Sequence, residues 1–262
     1  MKLWVLSDIH LELTTDWDLP GPADRPDFDV LVMAGDLVPQ MERGVKWLVE
    51  RVPDRPIVYI AGNHEAYRAD IDRTLQKAKL AAAGSNVFVM EDETTVIGGV
   101  RFVAGTLWTD FQLFGDPEAA MLAAGANMND YRMIRTNNYA RRLSPTDTHA
   151  RHRSTQAYIE SELARTFGGQ TVVVTHHGPY LGAMRQGHER DIISAAYVSD
   201  LSSLIEQHQP AVWIYGHTHR SDDTMIGRTR IVSNSKGYGP HPALRLTTWE
   251  NSMFDPSLVI EV

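Results

Sequence analysis

Seven side chains able to bind metal ions recur in five short motifs of this 262-residue chain, each directly after an apolar run. They are Asp8 and His10 in SDIH, Asp36 in AGD, Asn63 in GNHE, His176 in THHG, and His217 with His219 in GHTH. Residues two apart on an extended chain point the same way, separated by roughly 6.5 Å. Asp8 and His10 can therefore reach one ion together, and His217 and His219 have the spacing to serve neighbouring ions. Two-metal hydrolytic sites hold their ions about 3.5–4 Å apart. A carboxylate spans that gap while offsetting repulsion between dications, and Asp36, on a different strand end, is free to take the role.

Carboxylate, imidazole and amide oxygen form a donor set suited to Mn, Fe, Zn, Co or Ni. The chain has no cysteine, so thiolate ligands and disulfides are excluded. Two dications set against Asp8, Asp36 and a shared hydroxide leave residual positive charge, which suits an anionic substrate such as a phosphate ester. Metals so placed bring the pKa of the attacking water toward neutrality and clamp the phosphoryl oxygens. His64 follows Asn63 and is not needed as a ligand. It is the candidate to protonate the leaving alkoxide or to stabilise charge on the phosphoryl group. Gly35, Gly62 and Gly216 lie beside ligands, where they permit sharp turns in a crowded centre.

The elements that must position these residues alternate along the first third of the chain. Strands are expected at about 2–7, 29–34 and 57–60, with helices at 41–51 and 69–83, the second stopping at Gly84. This rhythm implies parallel strands with right-handed crossovers, and ligands at their carboxyl ends converge in one crevice. Short strands follow from 87 to 106, with Gly98-Gly99 as a tight turn. The stretch 107–143 has no strong period and reads as an insertion lying over the site. A long helix at 145–167, a strand at 171–175, a helix near 197–208 and a strand at 212–215 come next. The tail adds strands near 224–226, 229–233 and 257–261. The motifs run from position 8 to position 219, so one domain over 1–262 is expected, since a domain cut would split the site.

The ordered set Asp8-x-His10, Gly35-Asp36, Gly62-Asn63-His64-Glu65, His176 and Gly216-His217-x-His219 resembles the calcineurin-like metallophosphoesterases. The resemblance implies an α/β fold, a four-layer αββα sandwich of two mixed sheets flanked by helices, with a dinuclear centre at one edge. It implies one metal on Asp8, His10 and His219, the other on Asn63, His176 and His217, Asp36 between them, and His64 as the catalytic histidine. Val232 to Tyr238 looks like a closing segment seen in bacterial members. One departure stands out. Protein Ser/Thr phosphatases of this superfamily continue the second motif as G-D-x-x-D-R-G, whereas this chain has Pro39 and Gln40 in place of that Asp and Arg. The departure argues against a protein phosphatase and for a small-molecule phosphodiesterase or phosphomonoesterase.

His177, Trp108, Tyr131 and Arg132 are candidates to touch substrate, Arg132 by a bidentate grip on phosphate. His149 and His152 fall on a helix and are expected to be solvated. The net charge of −8 does not favour a broad nucleic-acid footprint, which weighs against the alternative of a metal-dependent nuclease. A non-catalytic scaffold on the same fold should have lost ligands, and none is missing. No run approaches a membrane span and the N-terminal apolar stretch is too short for a secretory core, so a cytoplasmic location is expected.

Overall fold

Strands whose side chains are apolar on both sides need cover on both faces, and two stacked sheets flanked by helices supply it. The computed structural model describes residues 1–185 and 187–262. In one sheet β1 (Lys2–Leu6), β2 (Val30–Met33), β3 (Ile57–Ile60) and β4 (Val87–Met90) run parallel, and β13 (Val259–Glu261) pairs antiparallel with β1. The second sheet is ordered β11 (Ser221–Ile226), β12 (Thr229–Asn234), β10 (Val212–Tyr215), β9 (Thr171–Thr175), β6 (Val100–Gly105) and β5 (Glu93–Ile97). Its four inner strands are parallel; β11 and β5 are antiparallel edges.

Alternate residues of each strand divide between two cores. Leu3, Val5, Val32 and Val58 face Phe102, Val172, Val174 and Ile214 between the sheets. Their neighbours Trp4, Leu6, Met33 and Tyr59 turn outward onto Met41, Val45 and Leu48 of α1 (Met41–Arg51) and Ala78 of α2 (Ile71–Ala82). On the far side Val173, Trp213 and Tyr215 pack on Ile159 of α5 (Pro145–Ala164) and on Leu204 and Ile205 of α6 (Ser202–His208). The result is the expected αββα order of layers.

Two helix starts are fixed by side chains. Asp70 accepts from the backbone of Asp72 and Arg73 at the head of α2, and Ser144 with Asp147 forms a reciprocal cap on α5. Stretch 107–143 holds more structure than its pattern suggests. It contains α3 (Pro117–Asn127), the single turn α4 (Asp130–Met133) and a small hairpin of β7 (Arg135–Thr136) and β8 (Arg141–Arg142). The sequence PEAAMLAAGAN lacks an apolar stripe. Helix propensity, the Asp116 cap and Pro117 in the first turn make α3 instead, and small Ala120 and Ala124 seat it. The helix expected near 197–208 begins only at Ser202, preceded by a 3-10 turn at Ile192–Ala196. His152 corrects another expectation: it is fully buried on the inner face of α5, with Nδ1 3.4 Å from the Trp108 carbonyl. Among the described residues, no helix is long and apolar enough to cross a membrane.

Candidate metal centre

Register brings the donors level. Leu6 pairs with Met33 and Met33 with Tyr59, so the loops leaving β1, β2 and β3 emerge side by side. In the second sheet Val174 pairs with Ile214, placing His176 and His217 one and two residues beyond adjacent strand ends. The sheets meet there: Ser7 bridges Ser235, and the Asp8 carboxylate accepts the His217 backbone N–H at 3.0 Å.

All seven candidate donors come together. His10 Nε2 lies 3.0 Å from His219 Nε2, and Asp8 Oδ1 lies 3.6 Å from that same atom of His219. A second group joins His176 Nε2 to His217 Nδ1 at 3.2 Å and to Asn63 Oδ1 at 3.2 Å. Asp36 stands between them, with Oδ2 3.6 Å from His10 Nε2 and Oδ1 3.5 Å from His176 Nε2. Asp8, His10 and His176 are fully buried, and Asp36 is 1% exposed.

The chemistry of these contacts fits cations. His219 Nδ1 donates to Glu250 Oε2 at 2.7 Å, and His176 Nδ1 donates to the Ala34 carbonyl at 2.9 Å. With the outer nitrogens of His219 and His176 committed as donors, the neutral rings present their inward nitrogens as lone pairs. Two imidazole lone pairs then face each other at 3.0 Å in the His10–His219 pair, since His10 Nδ1 is turned to Glu12 at 3.4 Å. That arrangement is repulsive without a positive ion between the rings. Outer hydrogen bonds of this kind are how metal-binding histidines are aimed.

The backbone is strained where the donors sit. Asp8, His10, Asp36, His217 and His219 all have φ between 49° and 68°. Such conformations cost about 1–3 kcal/mol each in non-glycine residues and persist where the surroundings impose them. Here the surroundings include Glu65, a fully buried carboxylate that accepts from Asp36 N, Leu37 N, Gly62 N and the Tyr59 hydroxyl. Gly35 has φ +87° and makes a true turn. Gly62 is needed for a different reason than a turn: a Cβ there would meet Asp36 Oδ1 at 2.2 Å.

His64 lies beside this cluster, Nε2 3.9 Å from Asp36 Oδ2 and Nδ1 2.8 Å from Glu12 Oε1. Its ring stacks on Tyr67 at 4.1 Å. Burial works against its charged form, yet Asp36 and Glu12 outweigh that and hold it at about 9. Glu12, which burial alone would raise, is kept at about 2 by His10 and His64. Glu12, just past the first motif, supplies the carboxylate that fixes the His64 ring through Nδ1. Its position two residues past His10 is a signal the sequence carried.

A cavity of about 300 Å³ opens onto the cluster, lined by Asp36, Asn63, His64, His217 and His219. Its walls include Tyr67, Tyr197 and Tyr238, with Asp130 and Asn129 of the 107–143 stretch and Arg185 beside them. The four residues expected to touch substrate lie elsewhere. His177 is fully buried behind His217, ring centroids 4.2 Å apart, with Nδ1 on the Thr106 carbonyl. Trp108 packs with Ala66, Tyr67 and Ile134, Tyr131 packs on α3 with its hydroxyl on Thr148, and Arg132 turns to the Ala126 carbonyl. None of the four lines the cavity. Aromatic bulk in that stretch serves packing, and the polar wall residues carried no spacing signal.

Fold and site together define an α/β sandwich with donors for two cations at the loop ends of its sheets. A model of the calcineurin-like phosphoesterase family matches residues 1–221, and the chain belongs to that family. Metal-dependent hydrolysis of phosphoesters at a dinuclear centre comes with that membership. An uncharacterized protein of Acanthamoeba polyphaga mimivirus is 24% identical over 285 residues, which cover 98% of this chain and 95% of that protein. A phosphopantetheinyl hydrolase from Mycobacterium tuberculosis shares the fold at TM-score 0.65 and 17% identity, over 93% of this chain and 92% of its own. A dimetal phosphatase from Danio rerio shares it at TM-score 0.51 and 12% identity, over 88% and 86%.

Proposed function

We propose that the chain hydrolyses small phosphodiesters or phosphomonoesters, with Asp8, His10 and His219 holding one cation, Asn63, His176 and His217 the other, and Asp36 shared. The observation that carries this is Asp36 itself, whose two carboxylate oxygens face opposite donor groups at 3.6 and 3.5 Å. Divalent cations held there would acidify a shared water and polarise the phosphoryl oxygens. His64 would give its proton to the leaving oxygen; it lines the cavity, and Glu12 holds its ring through Nδ1. Tyr67 braces the ring from one side. Tyr238 covers His10 and His219, with centroids 4.7 Å from each, and restricts water there. A cavity of about 300 Å³ supports a small ester rather than a duplex, in keeping with the net charge of −8. A cytoplasmic location and a one-domain organisation over 1–262 accompany this reading.

The direct test is hydrolysis of a chromogenic phosphodiester and a chromogenic monoester by protein loaded in turn with Mn, Fe, Zn, Co or Ni. Metal-dependent release of the chromophore from at least one ester is expected. Inactivity toward both classes with every metal removes the proposal.

The role of His64 has its own signature. Its acid form is favoured by the Glu12 charge, so Glu12→Gln lowers its pKa and deprotonates it at lower pH. The alkaline limb of kcat against pH should therefore move toward acid by about one unit. An unmoved limb would separate Glu12 from the chemistry.

A further inference from the structure

Asn63 is the one amide donor in the cluster, and an amide is useful to a cation by only one end. Its oxygen must face inward and its NH₂ outward. The Asn63 Nδ2 group donates to Asp130 Oδ1 at 2.8 Å and reaches the Tyr67 hydroxyl at 3.3 Å. Tyr67 donates in turn to the same Asp130 oxygen at 2.7 Å. A carboxylate can only accept, so Asn63 must present nitrogen to it, and Oδ1 is then turned to His176 Nε2 at 3.2 Å. Asp130 is 1% exposed, comes from the 107–143 stretch, and among the described residues makes no bond through Oδ2. Both of its bonds thus go to one oxygen and to this triangle.

We propose that Asp130 is a positioning residue for the metal centre: it fixes the rotamer of the Asn63 amide and so makes Asn63 a metal donor. This rests on the reading of Asn63 as a ligand. It also gives the 107–143 stretch a role in the centre beyond walling the cavity. Loss of Asp130 frees the amide to turn its NH₂ inward, which repels a cation. Removing an outer-shell partner of this type weakens metal binding about 10–100-fold.

A carboxylate at position 63 needs no such help, because it offers oxygen whichever way it turns. Substitutions at 63 and 130 should therefore compensate each other. Metal-stripped protein is titrated calorimetrically with Mn²⁺ alone. The unaltered chain should take up two ions. Asp130→Ala should keep one affinity and lose about tenfold or more in the other. Asn63→Asp alone should also be weaker, since it sets two buried carboxylates 2.8 Å apart. The double variant Asp130→Ala with Asn63→Asp should recover the lost affinity to within about threefold, a result that loss of an anchor could not give.

Asp130→Leu, which keeps the branched shape without an acceptor, decides the matter if Asp130→Ala does not fold. Two ions bound with unchanged affinity in these Asp130 variants overturn the proposal. So does a double variant no better than the single one. Uptake of fewer than two ions by the unaltered chain instead sinks the dinuclear reading beneath it.

Discussion

Asp36→Ala is expected to lower phosphoester hydrolysis by about a thousandfold or more at saturating metal, and to cut the bound-ion count from two toward one. The carboxylate is 1% exposed and reaches the nitrogens of both donor groups. Without it, cations on either side lose their shared counter-charge and their spacing. Metal stabilisation of the transition state is worth several kcal/mol, and each 1.4 kcal/mol is about a factor of ten. Alanine also releases the His64 backbone N–H, which Asp36 Oδ1 now accepts at 2.8 Å, so the catalytic candidate would shift as well. Steady-state rates together with metal analysis by mass spectrometry check both halves. A variant that keeps two ions and near-normal turnover would show that Asp36 does not lie between them.

Glu65→Ala should cost stability rather than chemistry alone. The side chain is fully buried and accepts four donors at 2.7 to 2.9 Å: Asp36 N, Leu37 N, Gly62 N and the Tyr59 hydroxyl. An unsatisfied buried donor costs about 1–3 kcal/mol, so the total approaches about 4 kcal/mol even if some relax. For a chain of this size that lowers the melting temperature by roughly 10 °C. Because Asp36 sits at φ 56°, the turn held by Glu65 is one the backbone does not favour by itself. Thermal unfolding of the metal-free protein isolates this term from any change in ion binding. A shift under about 2 °C would mean that the donors find other partners.

How far the sequence discloses this molecule depends on which force shapes each part. Ile57–Ile60, Thr171–Thr175, Val212–Tyr215 and the helix Met41–Arg51 are legible to the residue, because burial on defined faces fixes their pattern. The four layers are legible only through the resemblance of the ordered motifs to a known family. Helix α3 is not legible by period, since alanine propensity and an Asp116 cap build it without a stripe. The seven donors are legible because strand ends and spacing of two restrict where they can point. Their supports are harder. Glu12 and Glu65 stand inside or beside the motifs, but nothing local says what they accept. Asp130 lies 67 residues from its partner Asn63, and no periodic or spacing rule connects them. The same absence of a rule misled the reading of Trp108, Tyr131 and Arg132, whose types suit a binding wall but whose surroundings bury or divert them.

The donors are contributed by both halves of the sandwich: Asp8, His10, Asp36 and Asn63 leave the first sheet, His176, His217 and His219 the second. Elsewhere the halves are held together by apolar contact. Ions bound across that seam would act as a clasp, so the grip of one layer on the other would tighten with ion concentration. Chelation should therefore loosen the mouth of the molecule first, leaving the distant strand ends packed.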